Sequence, residues 1–301
     1  MHVTVHVPAT TANLGPGFDC LGLALDVWNQ ARFRIAGEGV RVSTAGFGAK
    51  TLPADERNLI ARAFRAVCQH AGVPFPPGLQ IKARNSFPIG SGLGSSAAAV
   101  VAGVVGANAL LGRQLSEADL LDLAAKIEGH PDNVTPALLG GLTLSVSEGG
   151  TVLARKVAVA AVWAAVVVPD FALPTIEARA ALPQQVALSD AVFNLGRTAL
   201  VVEALRTGDW ELLAQAMADR LHQPYRLKLI PGATRALEAA RQAGAAAALS
   251  GAGPGMVALT PDREQARTAA EAMREAFAAR GLQSWARITQ ISQRGAGFST
   301  Q

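Results

Sequence analysis

Apolar and polar residues alternate at the start of the chain in a pattern that is typical of a β-strand. Residues 3–7 contain three valines and a threonine, and Pro8 ends the run. The small and polar residues 9–19 then predict a loop. Further β-rich runs at residues 30–36, 40–43 and 78–84 predict three more strands in this half of the chain.

Apolar residues at helical spacing predict helices between and after these strands. Residues 58–71 follow this spacing, and Gly72 marks the end of the helix. Ser116 and Asp119 have the spacing of a capping box, with Asp in place of the usual Glu or Gln. We therefore predict a second helix over residues 116–128.

The second half of the chain also mixes both patterns. Strands are predicted at residues 142–147, 151–157, 162–168, 246–250, 256–260 and 284–291, and helices at 173–179, 189–206, 209–221, 231–243 and 262–280. We place the change between two domains near residues 150–160, which gives domains of residues 1–155 and 156–301 in an α+β fold.

Composition narrows the class of protein. Half of the 301 residues are apolar, but the longest apolar stretch, residues 157–169, is shorter than the roughly 20 residues that span a bilayer. The N-terminus lacks the order of a signal peptide, and the two cysteines lack metal-ligand spacing. We therefore expect a cytoplasmic protein with no membrane partner.

The net charge of +4 and the high pI would suit a nucleic-acid partner, but the basic residues are scattered. Only 5% of the residues are aromatic, so the aromatic interleaving of nucleic-acid sites is absent from the sequence. We expect no nucleic-acid partner. Isolated arginines in polar segments, Arg179 and Arg226, are the better candidates for binding an anion.

A glycine and serine run, residues 87–99, leads into an apolar helix-compatible segment. Gly90, Gly92 and Gly94 allow positive φ and close approach to a ligand. Ser95 and Ser96 can cap the helix or turn their hydroxyls toward a ligand or metal. Because a helix N-terminus attracts anions, the run predicts a phosphate site, with a flexible turn as the alternative. It has neither the lysine of a P-loop nor the spacing of a dinucleotide fingerprint.

The polar residues 127–136 are predicted as a loop that carries chemistry. Glu128 offers the hard oxygen that Mg²⁺ prefers, and His130 can act as a general base or hydrogen-bond donor. Asn133 can orient a hydroxyl but cannot accept its proton. Purely structural roles stay open for each, as they do for Asn13 and Asp19 in the first loop.

Three motifs, in this order, resemble the GHMP small-molecule kinases: residues 8–19, the glycine run at 88–99, and Leu-Ser-Gly-Ala-Gly-Pro-Gly at 249–255. Four stretches resemble the homoserine kinase branch more closely: residues 11–19, 128–134, 173–179 and 222–226. Together the three superfamily motifs span nearly the whole chain.

The resemblance implies a two-domain GHMP kinase fold. Its N-terminal α/β domain carries a left-handed β-α-β unit, its C-terminal domain is ferredoxin-like, and the site lies between them. It also implies ATP-dependent phosphorylation of the side-chain hydroxyl of L-homoserine, a step toward threonine, with ATP and Mg²⁺ as cofactors. A homodimer stays open.

Individual roles follow from the same resemblance. ATP would contact Asn58, Leu59, Pro88, Ile89, Gly90, Ser91, Gly92, Leu93, Gly94, Ser95 and Ser96, and Mg²⁺ would be held by Ser96 and Glu128. The substrate would contact Asn13, Asp19, His130, Asn133, Thr175, Arg179, Arg226 and Gly253. The expected catalytic residues are Asn133, Glu128, Ser96 and His130.

Asn133 stands where several relatives of this kind carry a catalytic Asp. We favour a reaction without a side-chain base, although His130 and Asp132 stay open as bases. Two other functions also remain open: another GHMP kinase acting on a different small alcohol, such as mevalonate, and a non-catalytic sensor that keeps the fold and binds ligand only.

Overall fold

The computed structural model describes residues 2–112 and 114–300. The strands are β1 (Val3–Ala12), β2 (Leu21–Ile35), β3 (Gly39–Gly46), β4 (Gly78–Asn85), β5 (Leu142–Glu148), β6 (Thr151–Val157), β7 (Trp163–Pro169), β8 (Ala246–Leu249), β9 (Met256–Thr260), β10 (Ser284–Gln290) and β11 (Gly297–Thr300). The helices are α1 (Leu59–His70), α2 (Ser95–Leu110), α3 (Glu117–Glu128), α4 (Pro131–Leu139), α5 (Thr175–Ala180), α6 (Leu188–Thr207), α7 (Trp210–Ala216), α8 (Gln223–Arg226), α9 (Ala233–Gln242) and α10 (Arg263–Ala278).

The first sheet has seven strands. Five follow the order β11-β1-β2-β4-β3, and β5 pairs with β2 and with β6. β3 and β4 run parallel, and α1 connects them, so these elements form a β-α-β unit. The last strand, β11, pairs with β1, so the chain returns to the first sheet after completing the second.

The second sheet has four antiparallel strands in the order β10-β7-β9-β8. Along the chain its elements follow the β-α-β-β-α-β sequence of a ferredoxin-like domain, β7, α9, β8, β9, α10 and β10. Four short to medium helices, α5 to α8, are inserted between β7 and α9. An apolar cluster that includes Val167, Leu249, Met256 and Phe277 forms the core on one side of this sheet.

Helix α2 is buried along most of its length, which explains its nearly all-apolar sequence. It packs against α1 and β1, and Gly103 allows the close contact with α1 because a Cβ there would meet the Ile60 carbonyl. α1 begins after its N-cap Asn58, and α3 after the capping box of Ser116 and Asp119, as the sequence predicts. In the described part of the chain, no helix is long and apolar enough to cross a membrane.

Four predicted boundaries are wrong. The strand predicted at residues 30–36 begins at Leu21, because its first half pairs with β1 and β5 as part of one long strand, β2. β1 does not end at Pro8 but continues to Ala12, because the register shifts between Pro8 and Ala9 and the bulge accommodates the missing N–H. Residues 131–139 form helix α4 rather than a loop, because Pro131 occupies the first turn, where no N–H is needed. The predicted helix over residues 209–221 ends at Ala216.

Candidate active site

A polar cleft lies where the first loop, the glycine run and the second sheet meet. It is lined by Asn13, Asp19, Gly90, Ser91, Gly92, Gly94, Ser95, Ser96, Glu128, His130, Asp132, Asn133, Thr175, Arg179, Arg226, Gly251, Ala252 and Gly253. A more apolar pocket adjoins it and shares Gly90, Ser95 and Ser96; it also contains Asn58, Leu59 and Ile89. Of the predicted site residues, Pro88 and Leu93 line neither pocket: Leu93 is buried and Pro88 faces a separate groove.

The loop after β1 holds an unusual backbone conformation. Asn13, Leu14 and Asp19 have positive φ although none is glycine. Asn13 stabilises this shape, because its Oδ1 accepts from the N–H of Asp19 at 3.0 Å and its Nδ2 donates to the Gly251 carbonyl at 2.8 Å. The loop is therefore connected to the glycine turn of the second sheet.

The glycine run packs too tightly for side chains at two of its positions. A Cβ on Gly92 would collide with the Ser250 carbonyl, and one on Gly94 would collide with Oγ1 of Thr10. A Cβ on Gly90 would meet no atom within 4 Å, because this glycine faces open space at the cleft. All three have positive φ, so the run forms a rigid turn in which the side facing the cleft is bare backbone.

The expected capping of α2 by serine is wrong. Gly94 is the N-cap in a left-handed conformation, and none of the side chains that the structure describes caps the helix. Ser95 instead accepts from the N–H of Gly90 at 3.1 Å, which closes the turn. The N–H groups of the first helical turn therefore stay available for an anion.

Ser96 and Glu128 lie together beside the start of α2. The Ser96 hydroxyl donates to Oε2 of Glu128 at 2.8 Å. Burial raises the pKa of Glu128, with the hydrogen bond from Ser96 acting in the opposite direction. The pair offers two hard oxygens, and the described residues contain no group of three His, Cys, Asp or Glu side chains that could hold a metal alone. This set fits Mg²⁺, which commonly takes its other ligands from phosphates and water.

Asn133 is buried at the start of α4, and its amide has a fixed orientation. Its Oδ1 accepts from the Thr10 hydroxyl at 2.8 Å, and its Nδ2 donates to Oδ1 of Asp132 at 3.3 Å. The same Asp132 oxygen lies 2.6 Å from Nδ1 of His130. Burial acts to lower the pKa of His130, but the hydrogen bond and charge of Asp132 outweigh it and raise that pKa. Thr10 and the structural role of Asp132 escaped the sequence-based prediction.

Arg179 on α5 reaches across to the loop after β1. Its two terminal nitrogens donate to the two carboxylate oxygens of Asp19, each at 3.0 Å. Both side chains are about one-third exposed, at 39% and 34%. These two residues, both expected to contact the substrate, therefore bind each other in the structure.

Arg226 is a buried cation that forms no ion pair with a carboxylate among the described residues. It is 1% exposed, and its hydrogen bonds go to the carbonyls of Ala178 and Gly251 and to Nδ1 of His222. Its Nη2 group donates no hydrogen bond to any of the described residues. Burial and the repulsion of Arg179 lower the pKa of Arg226 from its ordinary value. A buried guanidinium of this kind is a strong receptor for an anionic group of a ligand.

The comparisons with known proteins agree with this geometry. The family model of the GHMP kinases N terminal domain matches residues 58–141, and that of the GHMP kinases C terminal domain matches residues 201–279. A homoserine kinase of Moorella thermoacetica is 46% identical over 92% of this chain and 93% of its own length. One of Prochlorococcus marinus is also 46% identical, over 99% of this chain and 96% of its own.

The chain belongs to the homoserine kinase family.

A solved structure of this family, the homoserine kinase of Cytophaga hutchinsonii, has a TM-score of 0.90 and 35% identity, covering 99% of this chain and 97% of its own. A mevalonate kinase of L. major shares the fold alone, with a TM-score of 0.73 and 20% identity over 96% of this chain and 95% of its own. The GHMP kinase fold and the family expected from the motifs are thus confirmed.

Proposed function

We propose that the protein transfers the γ-phosphoryl group of ATP to the side-chain hydroxyl of L-homoserine. Two relatives named homoserine kinase are 46% identical to this chain, and the alignments cover nearly their whole length. The observation that carries the proposal in this chain is the buried Arg226 in the polar cleft, which pairs with no carboxylate in the part of the chain that the structure describes. A substrate with a carboxylate would supply that partner.

The acceptor would bind as a zwitterion beside the pair formed by Asp19 and Arg179. Its carboxylate would contact Arg226 and Arg179, because guanidinium groups grip carboxylates through paired hydrogen bonds. Its ammonium would contact Asp19 and the amide of Asn13. Thr175 and Gly253, which line the same cleft, would provide the remaining polar contacts.

The nucleotide would span the two adjoining pockets. The adenine would enter the apolar pocket that contains Asn58, Leu59 and Ile89, and the phosphates would follow the glycine run to the polar cleft. Bare backbone at Gly90 and the uncapped N–H groups of α2 support this arrangement, since they offer donors without steric hindrance.

Ser96 and Glu128 would hold the magnesium ion. When bound, Mg²⁺ neutralises negative charge on the transferred phosphoryl group. Burial raises the pKa of Glu128, so a bound cation would be a favourable partner for its negative charge.

Asn133 would orient the acceptor hydroxyl, and no side chain would take its proton. Its amide lacks a basic site, and the raised pKa of His130 favours the protonated imidazole, which cannot accept a proton. The hydroxyl proton would pass to the phosphate or to solvent during transfer. His130 would serve as a donor to the substrate.

We also propose a cytoplasmic homodimer, with no nucleic-acid or membrane partner. Leu188, Val192 and Leu195 form a stripe on α6 at the spacing of a helix-helix seam, and they are 80%, 59% and 72% exposed. Sedimentation should show a dimer for the wild type and a monomer for Leu195→Glu; a monomeric wild type would reject this contact.

Substrate profiling tests the proposed reaction. A coupled assay should detect ADP release with ATP, Mg²⁺ and L-homoserine, and little with threonine, serine or mevalonate. Preference for mevalonate would indicate a kinase for another alcohol. Binding of homoserine or ATP without ADP release would indicate a non-catalytic sensor.

A further inference from the structure

His222 is a completely buried histidine next to the proposed substrate site. Its Nε2 lies 2.7 Å from the Gly15 carbonyl in the loop after β1. A carbonyl oxygen can only accept, so Nε2 carries the hydrogen and Nδ1 keeps its lone pair. That lone pair faces Nη1 of Arg226 at 3.4 Å. The neutral imidazole therefore connects the first loop to the guanidinium.

The surroundings of His222 stabilise the neutral form. Burial lowers the pKa of His222, with the charge of Asp219 acting in the opposite direction. The nearest carboxylate oxygen, Oδ2 of Asp219, is 3.6 Å from Nε2, but it already accepts from the backbone N–H groups of His222 and Gln223. Asp219 thus fixes the start of α8.

Phe18 contacts both His222 and Arg226. Its ring stacks on the His222 ring with centroids 5.3 Å apart and an interplanar angle of 25°. The Arg226 guanidinium carbon lies 5.1 Å from the centroid of Phe18, within the range of a cation–π contact. Phe18 and His222 therefore limit the positions that the buried guanidinium can adopt.

We propose that His222 is a positioning residue that acts through Arg226: its Nδ1 lone pair holds Nη1, so that the rest of the guanidinium is presented to the substrate carboxylate. This inference rests on the proposed function, because it needs Arg226 to bind that carboxylate. A neutral acceptor is required here, since a carboxylate at the same place would compete with the substrate for Arg226.

Two substitutions separate the two hydrogen bonds of the imidazole. The amide nitrogen of His222→Gln can reach the position of Nε2 and keep the bond to Gly15, but it leaves no acceptor at Nδ1. The amide oxygen of His222→Asn lies near the Nδ1 position and can accept from Arg226. His222→Gln should raise KM for homoserine about tenfold, the effect of losing one hydrogen bond to a charged group, with kcat and KM for ATP unchanged. His222→Asn should raise KM for homoserine less than threefold.

A double-mutant cycle with Arg226→Ala tests whether His222 acts through the arginine. In the Arg226→Ala background, His222→Gln should leave kcat/KM for homoserine unchanged. Asn194→Ala is the matched control, since Asn194 binds the adjacent Pro16 carbonyl at 3.1 Å and belongs to the same network without bonding to Arg226. Its effect should be the same in both backgrounds.

Three results would overturn the inference: an unchanged KM in His222→Gln, an equal rise in His222→Gln and His222→Asn, or an equal effect of His222→Gln with and without Arg226. They differ from a failure of the proposed function, in which the wild type does not phosphorylate homoserine or Arg226→Ala has no effect. Equal thermal stability of the wild type and the His222 variants would exclude misfolding as the cause of a raised KM.

Discussion

Asp19 and Arg179, which are 160 positions apart in the chain, form a two-pronged ion pair at the polar cleft, with both N···O distances at 3.0 Å. The pair presents one negative and one positive group side by side, which matches the ammonium and carboxylate of an amino acid. It also joins the loop after β1 to helix α5, so the two elements that would contact the acceptor are held together before it binds.

Arg226 and Arg179 should contribute unequally to kcat/KM for homoserine. Arg226→Ala should lower kcat/KM for homoserine by a factor that corresponds to a free energy on the order of 2–5 kcal/mol, the range for removing one partner of a buried charge pair. Arg179→Ala should have a smaller effect, because Arg179 is 39% exposed and the solvent screens its charge. Steady-state kinetics with homoserine varied at saturating ATP would measure both. Unchanged values in both variants would reject the placement of the carboxylate.

Asn133 and His130 should affect different kinetic parameters. Asn133→Ala should chiefly lower kcat, because the amide orients the hydroxyl during transfer and is itself held by Thr10. His130→Ala should keep the shape of the pH–rate profile, since Nδ1 of His130 is bound to Asp132 and the imidazole is proposed to donate to the substrate rather than to take its proton. If the His130 variant lost the pH dependence that a general base gives the wild type, a base mechanism would replace the one proposed here.

Glu128 and Ser96 should determine the requirement for metal. Glu128→Gln keeps the size of the side chain but removes its charge, so we expect the Mg²⁺ concentration at half-maximal activity to rise at least tenfold. Ser96→Ala should raise it less, because a hydroxyl is a weaker ligand. Titration of activity with MgCl₂ at fixed ATP measures this. Identical Mg²⁺ curves for wild type and Glu128→Gln would contradict the assignment.

His222 should make folding sensitive to acid. Burial lowers its pKa in the folded protein, below the ordinary value of 6.5. The unfolded chain therefore binds a proton at this histidine more readily, and the free energy of unfolding should fall as the pH drops below about 6.5. Asp219, Arg226 and Asp19 are the charged groups that influence His222, and His222→Gln leaves all three in place.

Denaturant unfolding between pH 7.5 and 5.5 would isolate the contribution of His222. The loss of stability should be smaller in His222→Gln than in the wild type. His130 acts in the opposite direction, because its raised pKa contributes stability that is lost as the pH rises through its folded value. It is common to both proteins, so it cancels in the comparison. If the unfolding free energies of the two proteins changed in parallel with pH, folding would not lower the pKa of His222.

Much of the fold could be predicted from local patterns. The helical spacing of residues 58–71 and the capping box of Ser116 are local signals, and both helices appear in the structure. β11 was missed because four exposed residues, Gly297–Thr300, carry no hydrophobic pattern; pairing with β1 makes them a strand. Helix α4 was missed because the polar and proline residues at its start outweighed the apolar residues that follow.

The polar cleft could be predicted only in part, because some of its contacts join residues that are far apart in the chain. Its glycines, arginines and acids lie in motifs that stand out along the chain, and the structure brings most of them together. The bonds of Thr10 to Asn133 and of His222 to Gly15 join residues 123 and 207 positions apart. No local pattern encodes such contacts, so the supporting residues became visible only in the folded chain.

The most direct test of the proposed reaction is ³¹P NMR of the purified protein with ATP, MgCl₂ and L-homoserine. We predict that the γ-phosphate signal of ATP is replaced by one phosphomonoester signal, coupled to the side-chain methylene protons of homoserine, with one ADP formed for each ester. Release of inorganic phosphate alone, or no change when homoserine is added, would contradict the account.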